Sequence, residues 1–121
     1  MATLNKIEVT IAAGQFLSNT VELADNYVVG LIMPPQWTPA RVTILSAVDD
    51  INFFDLFRFG EDGTTPTEIK FNVAPNSILA IDPNTMLMAR YLKLRSGTRD
   101  EEVPQEAARV FSVITVNSVS L

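Results

Sequence analysis

Apolar and polar residues alternate with a period of two through much of this chain. Across residues 88–96, Leu92 and Leu94 fall on one side and Tyr91, Lys93 and Arg95 on the other, the mark of a strand with one buried and one wet face. Residues 6–12 repeat the pattern, with Ile7, Val9 and Ile11 opposing Glu8 and Thr10. Residues 19–23 predict a second, short strand. Residues 27–33 are almost continuously apolar, as in a strand covered on both faces, and Pro34-Pro35 ends them because proline cannot donate to a ladder. Further strands are predicted over 40–47, 53–59, 68–73, 77–81 and 108–116. Only one stretch reads as helical: Asp82 caps a start with Pro83 at the first helical position, and there is room for a single turn, ending near Leu87.

Seven prolines and five glycines cut the 121 residues into segments too short for an ordinary amphipathic helix, and most are rich in Val, Ile, Thr and Phe. The expectation is an all-β chain forming one domain, a β-sandwich or jelly roll of about eight or nine short antiparallel strands. That domain spans 6–116, with an N-terminal arm over 1–5 and a C-terminal arm over 117–121. There are no cysteines, so the fold rests on packing and hydrogen bonds, without disulfides or thiolate metal sites.

The absence of histidine removes the usual general base, the commonest zinc ligand and the Ser/His type of nucleophile pair. A net charge of −5 offers no footprint for nucleic acid. The first residues alternate and include Glu8 instead of forming an apolar core behind a basic cluster, and no apolar run reaches the length of a membrane helix. These features predict a soluble protein, made and kept inside the producing cell until used, with no enzymatic role, no cofactor, no metal, and neither membrane nor nucleic acid as partner.

The segment from Phe53 to Phe59 has apolar side chains on both strand faces, Phe53, Phe57 and Phe59 on one and Phe54 and Leu56 on the other. A two-layer sandwich buries only one. The remainder needs cover from a loop of the same chain or from another subunit. The last strand repeats the excess, with Val110, Ile114 and Val116 opposing Phe111 and Val113. Trp37, between prolines, is a core or interface anchor, or else a platform on which a sugar stacks. Asp49, Asp50 and Asn52 offer oxygens to calcium but lack the full loop pattern, and read as a solvated acidic turn. Arg99-Asp100-Glu101-Glu102 reads as a solvated mixed-charge run, or as electrostatic register against a partner. With Arg90, Lys93 and Arg95 close to it in sequence, it makes a basic outer face conceivable.

RVTILSAVDDINFFDLF at 41–57 and ARYLKLRSG at 89–97 resemble the two best-kept strands of galactose-binding-like sandwiches of the discoidin type. Val48-Asp49-Asp50-Ile51 stands where those domains have an Asp-Gly turn, and no ligand loop is evident, so sugar binding does not carry over. A longer stretch, about 11–116, resembles small proteins of tailed bacteriophages and prophages, through 14–17, 33–38, 42–57, 91–98 and 105–109. That resemblance implies a virion structural protein. The role expected within it is a capsid decoration, or cement, protein on the outer surface of the head, a homo-oligomer, expected as a trimer, that bridges major capsid subunits. The interface is expected at Trp37, Phe53, Phe57, Phe59, Phe111, Arg95 and Arg99. The alternative is a carbohydrate-binding module or an adaptor of a tail or fibre.

Overall fold

In the computed structural model, which describes residues 3–60 and 62–117, the chain is all-β and antiparallel. Its strands are β1 (Leu4–Ile11), β2 (Val21–Glu22), β3 (Tyr27–Ile32), β4 (Val42–Ala47), β5 (Phe54–Asp55), β6 (Phe57–Phe59), β7 (Pro66–Glu68), β8 (Lys70–Phe71), β9 (Ile78–Ala80), β10 (Tyr91–Ser96) and β11 (Arg109–Val116). One sheet has the order β1-β11-β3-β9. The other runs β2-β10-β4-β5, with β8 also paired to β4. With β5 and β8 counted as one edge position, this is the eight-position order of a jelly roll, two Greek keys folded face to face. The strand over 27–33 is internal to its sheet, between β11 and β9, but it is not covered on both faces: Val28 and Leu31 are buried against the core, while Val29 and Ile32 on the other side are only half-buried.

The alternation fixes which side chains meet between the sheets. Val9, Ile11, Phe111, Val113, Val28 and Leu31 come from one layer, and Ile44, Leu92, Leu94, Val42, Val21 and Leu23 from the other. In the last strand the choice between its two apolar faces is made by pairing: Phe111 lies opposite Val9 and Val113 opposite Ile7, so both point inward. The Asp82 carboxylate accepts the Asn84 amide at 2.9 Å and starts a single 3-10 turn, Pro83–Met86, whose Met86 enters the core. No helix among the described residues is long and apolar enough to cross a membrane.

Two expectations need correction. The N-terminal arm is shorter than 1–5, because Leu4 and Asn5 pair with Val116 and Thr115 in β1, and the Thr3 amide donates to the Asn117 side chain. Residues 1, 2 and 118–121 of the expected arms lie outside the described residues. The segment 53–59 is not one strand. It breaks at Leu56, whose amide donates to the Ile44 carbonyl while its own carbonyl accepts the Ile69 amide, and the residues on either side join different sheets.

Candidate functional site

The break at Leu56 creates the most distinctive surface of the molecule. β6 and β7 pair only with each other, Phe57 opposite Glu68 and Phe59 opposite Pro66, so a small hairpin leaves the β4 edge. Its tip closes through Gly60 and Thr65 and through Gly63, which adopts a φ of +73° that favours glycine. The Asp62 carboxylate accepts the Thr65 hydroxyl and the backbone amides of Thr65 and Thr64. These bonds, the Thr65 hydroxyl first, hold its pKa down at about 2.

An isolated two-stranded hairpin is marginal in water, and this one is fixed at its base by Arg95. The Arg95 side chain lies on the outer face of β10, the face expected to be wet, yet it is buried, because the chain from β5 to β7 covers it. Its Nε donates to Thr43 Oγ1 at 2.9 Å, Nη2 donates to Glu68 Oε2, and Nη1 lies 2.7 Å from Asp55 Oδ1. The contact to Asp55 is off the N–H direction, so it is an ion contact without a well-aligned hydrogen bond. Glu68 also accepts the Arg99 amide, at 3.1 Å. The two carboxylates flank the hairpin, one on the strand that enters it and one on the strand that returns. A single guanidinium therefore ties both roots to the sandwich.

Cations also sit on two of the aromatic rings: Lys93 Nζ is 4.6 Å from the centre of Phe53, and the Arg99 guanidinium is 5.7 Å from that of Phe57. Phe53 is thereby half-buried. Phe57, Phe59 and Phe54 keep 38%, 66% and 67% of their surface exposed. Between the hairpin and the 3-10 turn runs an open groove of about 740 Å³, lined in part by Phe57, Arg58, Lys70, Thr85 and Met88.

The expected interface residues thus divide. Phe57, Phe59, Arg95 and Arg99 come together at the hairpin, and Phe53 lies apart from it, under Lys93 of β10. Trp37 and Phe111 do not: their rings meet edge to face at 5.9 Å in the core, and Trp37 Nε1 donates to the Ala40 carbonyl. A buried indole so engaged presents no face on which a sugar stacks. Arg95 is a buried clamp and presents no charge to a partner, and this also removes it from the conceivable basic face.

One feature escaped the sequence reading, and a second was legible only in part. Gln105 is fully buried and pins the Trp37 corner to the last strand: Nε2 donates to the Thr38 carbonyl and Ser96 Oγ, while Oε1 accepts from the Thr38 amide and Arg109 Nε. A lone Gln in a charged loop gives no signal of this. The second is the outer face of the first sheet: alternation groups Val110 with Ile114, and the structure adds Ile32 and Ile78, which stand opposite each other on that face. Val116, which alternation groups with them, is buried beyond a register shift between Ile114 and Thr115.

The acidic turn at Asp49 is a backbone device. Its carboxylate accepts the Asn52 and Ile51 amides at 2.7 and 3.0 Å and the Asn52 side-chain amide, and these bonds lower its pKa. Among the described residues no group of His, Cys, Asp or Glu is arranged to hold a metal ion. Comparison of the chain with protein-family models, with curated proteins and with solved structures gives no match.

Proposed function

We propose that this chain is a structural protein of a tailed-phage virion, a decoration protein that self-associates, as a trimer, and bridges major capsid subunits on the outside of the head. The observation that carries the reading is the hairpin: Phe59 is held out in water, with Phe57 partly exposed beside it under Arg99, by a strand pair whose roots are clamped through buried Arg95. Exposed aromatics on a mobile loop can fold back onto their own chain; on a pinned hairpin they stay presented. Large, rigid aromatic side chains are what interfaces use as anchors.

The resemblance of residues 11–116 to small phage proteins supplies the setting, and the jelly roll suits it, since this architecture serves in viral capsids as well as in lectins. The work done is adhesion. Weak contacts repeated over the copies of an oligomer act at high effective concentration, so avidity stands in for individual affinity.

The test is direct. Purified protein is added to phage heads that lack it, and the heads are recovered by sedimentation and challenged with heat. The proposal expects saturable binding and a higher temperature of DNA release. Heads that neither bind the protein nor gain stability refute it, and binding to tails alone moves the role to a tail adaptor.

A further inference from the structure

The nine basic side chains are distributed unevenly. Arg95 and Arg109 are buried, and Lys93 sits on the Phe53 ring. Lys6 belongs to the edge strand β1, and Arg90 reaches the Ala24 carbonyl. The other four, Arg41, Arg58, Lys70 and Arg99, are exposed and stand around the base of the hairpin. Arg58 and Lys70 line the groove of about 740 Å³, and Arg99 lies over Phe57 on its wall. Lys70 also borders a smaller hollow that it shares with Arg41 and Glu101.

The chain carries 14 acidic side chains against nine basic ones, yet the groove has the opposite sign. The one carboxylate on its walls is Glu68, and Glu68 is spent on Arg95 and on the Arg99 amide. Asp82 turns its carboxylate to the Asn84 amide and is not part of the wall. Arg58 and Lys70 have no ion-pair partner among the described residues. Half-buried Leu56, Ile69 and Phe71 make the floor apolar, and Met88, 78% exposed, stands at the rim.

We infer that the groove is where the protein grips the shell: it takes an acidic segment of the capsid subunit, whose Asp or Glu side chains meet Arg58 and Lys70 while an apolar neighbour lies on the floor. The inference rests on the proposed capsid role and names its shell-facing side. Complementary charge selects the occupant. A nucleic-acid backbone recruits about six or more cations, and two free ones over an apolar floor make no such track. Because Arg95 fixes the hairpin that forms one wall, the groove is preformed, and binding pays little to order it. Charges at a rim set orientation and the rate of encounter more than affinity. Several such grips on one oligomer hold the shell even where each is weak.

The lysines make the test specific. The chain has three, Lys6 on β1, Lys70 at the groove and Lys93 on β10. Purified protein is bound to heads that lack it, and a carbodiimide joins lysine amines to the carboxylates in contact with them. Digestion and mass spectrometry are expected to find Lys70 linked to an Asp or Glu of the capsid subunit, with Lys6 and Lys93 not linked to it. The Arg58→Glu/Lys70→Glu variant, its fold checked by Trp37 fluorescence, should bind heads at least about tenfold more weakly at low salt. The difference should shrink as salt rises.

Lys70 linked instead to a carboxylate of a second copy of this chain overturns the inference. So do links to the shell through Lys6 or Lys93 alone, or equal binding by the folded variant. In these cases the unmodified protein still binds heads, and only the groove loses its part. Head binding that nuclease abolishes, or no head binding by the unmodified protein, removes the proposed role as well.

Discussion

Replacing Arg95 by Met tests whether the hairpin is clamped as described. The substitution keeps the length of the aliphatic stem and deletes the guanidinium that contacts Glu68, Asp55 and Thr43. The Glu68 side chain is 7% exposed and that of Asp55 22%, so both carboxylates stay largely out of water after their counter-charge is gone. Removing one partner of a buried ion pair costs about 3–5 kcal/mol. Glu68 retains the Arg99 amide, and Asp55 retains Arg99 Nε at 3.5 Å, which places the expected loss near the lower bound, about 3 kcal/mol. For a domain of this size that corresponds to roughly 10 °C in Tm.

Urea unfolding followed by fluorescence of Trp37, the chain's single tryptophan and a buried one, measures the loss. The paired variant Arg95→Met/Glu68→Met removes one stranded charge as well and is expected to regain much of the stability, since apolar replacements of buried ion pairs are often neutral or better. Because the pair is buried, the loss should change little between low and moderate salt. A cost below about 1 kcal/mol, as for surface pairs, or a paired variant weaker than the single one, refutes the clamp.

Three further outcomes follow from the geometry. Gly97 has a φ of +98°, and a Cβ there would stand 2.4 Å from the Glu101 carbonyl oxygen and 2.7 Å from the Val103 nitrogen; Gly97→Ala should cost at least about 2 kcal/mol in the same unfolding assay. Gln105→Leu strands the Thr38 amide, Ser96 Oγ and Arg109 Nε around an apolar side chain, and should cost about 3 kcal/mol. The pKa of Asp62 is depressed from 3.8 to about 2, so its stabilisation of the hairpin tip is complete above the ordinary value and is lost as the pH falls through the depressed one. Carboxyl NMR should find its midpoint near 2 and the amide signals of Thr64 and Thr65 moving with it.

The period of two carried most of the fold. It separated inner from outer side chains in the first strand and in β10, and the cap at Asp82 marked the one helical turn. It failed where both faces of a segment were equally apolar. Nothing local tells Phe111 from Val110; the register with β1 decides it. Nor does alternation say whether an outer face will be covered. Arg95 alternates as a wet residue should, and is buried by a segment about thirty residues away in sequence, since Glu68 and Asp55 reach it only after the chain folds. The surplus of aromatic residues was legible, and its location was not. The break at Leu56 depends on bonds to Ile44 and Ile69, both tertiary, and that break sends Phe57 and Phe59 into the hairpin.

The central claim is that the hairpin aromatics are an assembly surface, and sedimentation equilibrium on the unmodified protein beside the Phe57→Ser/Phe59→Ser variant tests it most directly. Both side chains lie outside the core, so the variant should keep the Trp37 fluorescence of the folded protein. The account predicts a mass that is a whole multiple of one chain for the unmodified protein and a single-chain mass for the variant. A single-chain mass for both, or the same multiple for both, contradicts it.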